Sequence, residues 1–299
     1  MALHRSPSRT RSRLATFATL ALLVGGITFA HARSDPQDVT LARAASTAAT
    51  PVPTASPTPS AQVKVEEAVR EVLAGAQGNA AVAVLDPSTG ASAQVGAAHG
   101  FVTASIVKVD ILAALLLQAS DAGRVLTAQE QRWATVMIEN SDNAAANALW
   151  DAIGGADGLA KANLRLGLTE TTPGHGAYWG LTQTTPADQV RLLQAVFGED
   201  SVLSAHARAY LRGLMGSIAP DQDWGISAGL DASGSVHLKN GWLARSESGL
   251  WVVNSIGRVE ADGHTLLLAV LCDGQASQKA GISLVEDLAE RTRAAVTDG

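Results

Sequence analysis

The sequence predicts an α+β fold, in which strands near both ends of the folded chain form one antiparallel sheet and a helical lobe is inserted between them. Apolar runs typical of strands occur in residues 80–96 and again in residues 235–273. The intervening segment has mainly helical spacing. Hydrophobic residues make up 46% and charged residues 17% of the chain, which allows a large core in one domain or in two closely packed lobes.

The first 32 residues have the pattern of a secretory signal. Met1–Arg13 holds four arginines and no acidic side chain, and the apolar run Leu14–Ala30 ends in small residues before a cleavage point. We expect a secreted protein, or one held at the outer face of the cytoplasmic membrane. The alternative is an uncleaved membrane anchor, although the apolar run is slightly short for a spanning helix.

Residues 33–60 are predicted to be a disordered linker, because Ala, Thr, Ser and Pro dominate and cannot form a packed core. The folded domain is expected to span residues 61–299. Residues 33–299 carry 18 basic and 28 acidic side chains, a formal charge of about −10. We therefore expect no nucleic-acid partner. We also expect a monomer. The single Cys272 lies in an apolar run and is expected to be a buried thiol.

The elements follow in order along the folded part of the chain. A helix is predicted in "VKVEEAVREVLAGA" and two strands in "AAVAVLDPSTGASAQVG". The predicted helices of the lobe are Ser105–Gln118, Thr127–Ile138, Ala144–Ile153 and Thr185–Phe197. Three strands follow in "SVHLKNGWLA", "GLWVVNSIGRVE" and "HTLLLAVLCD", with a turn at residues 261–263, before a closing helix that runs through Arg293.

The stretch "TASIVKVDIL" places Ser105 three residues before Lys108 at the start of a predicted helix. This spacing sets the lysine amine beside the serine hydroxyl, and the backbone N–H of Ser105 is left unpaired near the positive end of the helix dipole. A lysine that is desolvated by apolar neighbours can act as a base toward a hydroxyl. The alternative is that Ser105 caps the helix and Lys108 is solvated.

Two further segments carry short polar motifs that follow Ser105 and Lys108 in the chain. Ser141–Asn143 lies at a predicted helix start and Lys239–Gly241 on a predicted strand, although each alone can be a cap or a turn. Together, Ser-x-x-Lys, Ser-Asp-Asn and Lys-x-Gly resemble the motifs of the penicillin-recognising serine hydrolases, most closely class A β-lactamases. The resemblance covers roughly residues 62–293 and implies the β-lactamase/transpeptidase-like fold.

The resemblance also implies roles for individual residues. Ser105 would attack the substrate carbonyl and Lys108 would activate it. Ser141 would relay a proton to the departing nitrogen, while Lys239 would hold Ser141 and attract the substrate carboxylate. Asn143 would bond the side-chain amide of the substrate. No metal or organic cofactor is implied.

The oxyanion site implied by the resemblance lies between two backbone N–H groups. These belong to Ser105 and to Trp242, the residue after Gly241 on the predicted edge strand. A glycine on an edge strand would let the substrate backbone approach closely.

The sequence departs from the class A pattern in three places. Asn240 stands where the family usually has Thr or Ser, so an amide would replace the hydroxyl that bonds the substrate carboxylate. Ser105 and Ser141 are 36 positions apart, a shorter separation than in class A, so we expect a more open cleft.

The third departure concerns release of the acyl group. The Glu-x-x-Leu-Asn segment of class A is missing from the loop "LTETTPGHGAYWGLTQTTP". Glu170 lies early in this loop, and His175 lies closer to the expected place of the water-activating base. The alternative for His175 is a solvent-facing side chain. Trp179 is expected to pack the loop down rather than to touch substrate.

The sequence thus predicts an exported serine hydrolase that acts on β-lactams through an acyl-enzyme at Ser105, with slow deacylation as a further expectation. Two alternatives remain open. One is a peptidoglycan D-alanyl-D-alanine peptidase, and the other is a non-catalytic module that binds penicillin or the cell wall.

Overall fold

The computed structural model describes residues 60–231 and 234–297. The predicted signal segment and nearly all of the predicted linker lie outside these residues, so both remain predictions. The described part begins at Ser60, whose side chain accepts a hydrogen bond from the backbone N–H of Val63 at the start of the first helix. Within the described part of the chain, no helix is both long enough and apolar enough to span a membrane.

A five-stranded antiparallel sheet forms the base of the fold. Its strands lie in the order β2-β1-β7-β6-β5, so the first and last parts of the domain pair with each other. The strands are β1 (Asn79–Leu85), β2 (Ser92–Gly96), β5 (Ser235–Ala244), β6 (Trp251–Ala261) and β7 (His264–Gln275). A second, two-stranded sheet pairs β3 (Phe101–Val102) with β4 (Gln183–Thr184). The α+β class and the origin of the sheet in both ends of the chain are confirmed.

Eight α-helices cover this sheet in the described residues. They are α1 (Ala61–Gly75), α2 (Val107–Asp121), α3 (Ala128–Glu139), α4 (Asn143–Ile153), α5 (Gly155–Leu166), α6 (Pro186–Phe197), α7 (Ala205–Met215) and α8 (Gln278–Thr297). Helices α1 and α8 pack together on one face of the sheet, and α2–α7 form the lobe on the other. The buried helix α2 runs through the centre of the lobe, which explains why its sequence is apolar on nearly all sides.

The sheet is buried on both faces. On β1, Ala81 and Ala83 join the core beneath the helical lobe, whereas Val82 and Val84 join the core beneath α1 and α8. Strands covered on both sides carry continuous apolar runs, which is why β1 and β7 do not show a polar alternation.

The predicted lobe helices are present, with ends that differ by up to three residues. Thr127 caps α3 in a capping box with Glu130, and Thr185 caps α6 ahead of Pro186. Four of the observed elements, namely helices α5 and α7 and the short strands β3 and β4, are not among those predicted from the sequence. Two-residue strands have no periodicity, so sequence alone cannot show them.

Candidate active site

Ser105 lies in a single 3₁₀ turn, Ala104–Ile106, which leads directly into α2. Its neighbour Ala104 has a φ angle of +47°, a left-handed conformation that is unfavourable for a residue with a side chain. Such strain persists where the surrounding structure enforces it and is common beside catalytic groups. The turn packs against the edge strand β5, which brings the serine to the boundary between the lobe and the sheet.

Lys108 lies one turn further along α2 and is fully buried. Its Nζ donates to Ser105 Oγ at 3.0 Å, to the carbonyl oxygen of Ser141 at 2.7 Å and to Asn143 Oδ1 at 2.8 Å. Ser141 Oγ accepts a further hydrogen bond at 3.1 Å. The predicted neighbourhood of the serine hydroxyl and the lysine amine is therefore present.

Helix α4 begins directly after Ser141 and positions the Ser-Asp-Asn motif. The side chain of Asp142 accepts from the backbone N–H of Ala145 at 2.6 Å and so caps the helix. Ser141 has a φ angle of +56°, which turns its hydroxyl away from the helix and toward the two lysines. The motif is thus both a helix cap and part of the site.

Lys239 comes from β5 and faces the lobe. Its buried Nζ donates to Ser141 Oγ at 3.0 Å and to the carbonyl oxygen of Asn240 at 3.0 Å. The structure thus brings Ser105, Lys108, Ser141 and Lys239 into one connected group, although Ser141 and Lys239 are 98 positions apart.

The pKa values of Lys108 and Lys239 are both lowered in the folded protein. Burial lowers the pKa of Lys108 to about 7, although the nearby carboxylate of Asp142 acts in the opposite direction. Burial, together with the charge of Lys108, lowers the pKa of Lys239 to about 7. Near neutral pH a substantial fraction of Lys108 is therefore the free amine, which is the form that can accept a proton from a hydroxyl.

Gly241 is required by its contacts within the protein. A Cβ atom at this position would lie 2.7 Å from the backbone nitrogen of Ser105 and 2.8 Å from the carbonyl oxygen of Thr103. The structure shows that the glycine allows a close approach between β5 and the turn that carries Ser105. This contact places the edge strand β5 beside the backbone of Ser105, and Trp242 is the next residue of that strand.

Asn240 is placed differently from expectation. Its side chain is fully buried, and Nδ2 donates to the carbonyl oxygens of Gln222 at 2.8 Å and Trp224 at 2.9 Å. Both N–H groups of the amide are therefore used by the segment that precedes β5. The pleat explains this, because adjacent residues of a strand face opposite sides and Lys239 faces the lobe. The amide anchors that segment instead of facing a substrate carboxylate.

Glu170 and His175 lie outside the hydrogen-bonded group formed by Ser105, Lys108, Ser141 and Lys239. Glu170 is exposed, and its Oε2 accepts a hydrogen bond from Thr185 at 3.4 Å. The ring of His175 is exposed as well. In the described ranges no hydrogen bond connects either side chain with Ser105 or Lys108.

Trp179 is the residue of the loop that reaches the site. The Nζ of Lys108 lies 5.0 Å from the centroid of its ring, in a cation–π arrangement when the lysine is charged. Its Nε1 donates to Asn147 Oδ1 at 2.7 Å. No periodicity or motif in the sequence predicts this contact, because a single tryptophan in a loop belongs to no repeating pattern.

Buried polar groups hold the loop from below. Thr171 Oγ1 donates to Asp188 Oδ2 at 2.7 Å, and Thr171 and Thr184 share a hydrogen bond of 2.8 Å. Asp110 of α2 is buried nearby, and burial together with the charge of Asp188 holds its pKa well above the usual range. The hydrogen bonds of Thr171 tie the base of the loop to Thr184 and to Asp188 of α6. In the described residues there is no group of three or more side chains that could hold a metal.

Solved structures share this fold. A class A beta-lactamase from Bacteroides cellulosilyticus DSM 14838 aligns with a TM-score of 0.71 and 17% identity, over 81% of this chain and all of the other. PBP-A aligns with a TM-score of 0.69 and 23% identity, over 82% of this chain and all of the other. The fold is therefore that of the class A β-lactamases and related penicillin-binding proteins.

The sequence itself shows the family. The model of the Beta-lactamase enzyme family matches residues 64–132 and 126–296. The chain belongs to this family of β-lactamase-like and penicillin-binding-protein-like serine hydrolases, as its motifs predicted.

The curated relatives align with a smaller part of this chain than the solved structures do. The putative lipoprotein LppW of Mycobacterium tuberculosis and of Mycobacterium bovis is 30% identical over 168 residues, which are 54% of this chain and 53% of the relative. The chain spans about half the length of the curated relatives it matches.

Proposed function

We propose that this protein is an exported serine hydrolase that reacts with β-lactams and holds their acyl group on Ser105. The observation that carries the proposal is the 3.0 Å hydrogen bond between Lys108 Nζ and Ser105 Oγ, since the lysine is buried and has a pKa of about 7. A neutral amine at this distance can accept the hydroxyl proton as the oxygen attacks.

The acylation step uses the four polar side chains in turn. Ser105 Oγ bonds to the β-lactam carbonyl carbon while its proton passes to Lys108. The oxyanion of the tetrahedral intermediate accepts hydrogen bonds from the backbone N–H groups of Ser105 and Trp242. The C–N bond then breaks as Ser141 gives its proton to the nitrogen, and Ser141 is reprotonated from the lysine pair. The product is an ester of Ser105 with a protonated leaving nitrogen still tethered to it.

Substrate contacts follow from the same geometry. Lys239, whose Nζ lies beside Ser141 Oγ, supplies positive charge that attracts the carboxylate of a β-lactam. Asn143 lies at the start of α4 with its Oδ1 on Lys108, which leaves its N–H groups for the amide of the substrate side chain. The buried amide of Asn240 takes no direct part.

The absence, among the described residues, of a hydrogen bond from Glu170 or His175 to Ser105 or Lys108 supports a penicillin-binding rather than an efficient β-lactamase role. The hydrogen bonds of Lys108 go to Ser105, Ser141 and Asn143 and none goes to the 169–182 loop. Water without a positioned base forgoes roughly 10² to 10⁴ in rate. A D-alanyl peptidase of the same family would use the same acylation step, so the natural substrate is proposed only as a β-lactam or a peptidoglycan peptide.

Export is part of the proposal. The basic, apolar pattern of residues 1–32 supports it, as does the description of LppW as a putative lipoprotein. We propose the cell envelope or the extracellular medium as its location, with residues 61–299 as the catalytic domain.

Intact-protein mass spectrometry after brief exposure to benzylpenicillin tests the function. We expect a species heavier by one whole ligand, with the added mass mapped to Ser105 and lost in Ser105→Ala. An adduct on another residue, or none in the parent protein, would refute the acyl-enzyme. Hydrolysis of a chromogenic cephalosporin and release of D-alanine from a muramyl pentapeptide then separate the β-lactamase from the peptidase.

A further inference from the structure

The indole of Trp179 covers the loop side of the catalytic group. Its ring centroid lies 5.0 Å from Lys108 Nζ. The loop that carries it packs directly on the nucleophile turn, since a Cβ on Gly180 would lie 4.0 Å from the Cα of Ala104. An apolar ring therefore occupies the space between Lys108 and the loop.

The ring is held in place from two sides. Asn147 Oδ1 accepts from the indole N–H at 2.7 Å, and Asn147 lies one helical turn after Asn143, which binds Lys108. The loop itself is fixed by Trp150, whose Nε1 donates to the carbonyl oxygen of Gly176 at 2.9 Å, and by the backbone N–H of Thr103, which donates to Thr182. One face of α4 thus orients both the amine and the indole.

The arrangement bears on the fate of an ester at Ser105. Lys108 is a competent base once acylation is complete, and a water molecule between it and the ester could give up a proton to it. Such a water needs polar partners and space, and an indole face offers neither. The position of the ring is a more direct reason to expect slow hydrolysis than the missing glutamate is.

We propose that the indole of Trp179 blocks the position from which a water molecule could reach both Lys108 and the Ser105 ester. This inference rests on the proposed function, because it concerns the lifetime of the acyl-enzyme. Without the indole, water attacks the ester carbonyl while its proton passes to Lys108. The proton then moves to Ser105 Oγ as the acyl–oxygen bond breaks, which frees the carboxylic acid and restores the serine.

The test is the lifetime of the benzylpenicillin ester in Trp179→Ala, followed by intact mass after removal of free ligand. We expect hydrolysis to be faster by about tenfold or more, at the low end of general-base contributions. The rate should rise with pH through the pKa of Lys108 and then level off, a profile that a purely structural change would not produce. In Asn147→Ala the indole is still present but has lost its hydrogen bond to residue 147, so we expect a smaller increase in the rate of ester hydrolysis.

Tyr178→Ala is the matched control, because Tyr178 is the preceding residue of the same loop and is 69% exposed. The benzylpenicillin ester of Tyr178→Ala should have the same lifetime as that of the parent protein. An unchanged lifetime in folded Trp179→Ala, or an equal loss in Tyr178→Ala, would overturn the proposal while leaving the acyl-enzyme intact. If Trp179→Ala does not fold, Asn147→Ala decides, and an unchanged ester lifetime in that variant overturns the proposal. Absence of any ester in the parent protein would instead refute the proposed function.

Discussion

Lys108 and Lys239 share one hydrogen-bond partner, the hydroxyl of Ser141, at 3.1 and 3.0 Å from their respective Nζ atoms. Two buried ammonium groups this close repel each other, which is one reason why the pKa of Lys239 is lowered. The group therefore favours states in which the pair binds one proton. One amine can then act as a base while the other remains a cation, which is the combination that acylation requires.

The first prediction is a bell-shaped pH dependence of the acylation rate. Lys108 must be neutral, so the rate should rise as pH increases through about 7. Lys239 must be charged, so the rate should fall as pH increases through its own pKa, also lowered to about 7. Since the amines are coupled, the two limbs belong to the pair. Pre-steady-state labelling between pH 5 and 9 measures the profile, and a rate independent of pH would contradict it.

The second prediction concerns the base. Lys108→Ala should slow acylation of Ser105 by on the order of a hundredfold or more, because the hydroxyl loses its positioned proton acceptor. Lys161→Ala is a suitable control, since this exposed lysine of α5 should have no effect. Stopped-flow or quenched labelling with benzylpenicillin measures both. Near-normal labelling of Lys108→Ala would give Lys108 a structural role.

The third prediction is that Lys239→Met raises the stability of the fold while reducing acylation. The pKa of Lys239 is about 7 in the folded protein and near its ordinary value of 10.5 in the unfolded chain. The unfolded state therefore binds more protons, so the cost of the lysine is greatest below pH 7 and shrinks as pH rises toward 10.5. Thermal unfolding should show a larger gain in the melting temperature at pH 6 than at pH 9. A lower melting temperature at both pH values would show that the hydrogen bond to Ser141 outweighs desolvation.

The fourth prediction concerns the contact between β5 and the nucleophile turn. Gly241→Ala places a methyl group 2.7 Å from the backbone nitrogen of Ser105, and neither backbone can yield easily. We expect a loss of about 1–3 kcal/mol in the free energy of unfolding, typical of overpacking, together with at least a tenfold slower acylation. Gly213→Ala is the control, because a Cβ there meets nothing within 4 Å. Wild-type acylation in Gly241→Ala would exclude a role for this contact in shaping the oxyanion site.

Part of the site was accessible from local sequence. Ser105 and Lys108 are three residues apart on one element, and such pairs are neighbours in any helical turn. The position of Asn240 in its motif predicts a substrate contact, whereas the structure uses the N–H groups of its amide within the protein. The alternation of the strand would have placed Asn240 opposite Lys239. Trp179 could not be found in this way, because its partners Asn147 and Lys108 lie 32 and 71 positions earlier in the chain.

The sequence by itself determined the α+β class, most of the elements and the three motifs. Helical and strand periodicities, caps and turn residues act over a few positions and are visible in any window of the chain. The tertiary structure decided which side chains meet. It buried Lys108 and Lys239 around Ser141, turned Asn240 away from the cleft and laid Trp179 over the amine. The physical reason is that burial, which sets both the lowered pKa values and the access of water, arises from long-range packing that no local pattern encodes.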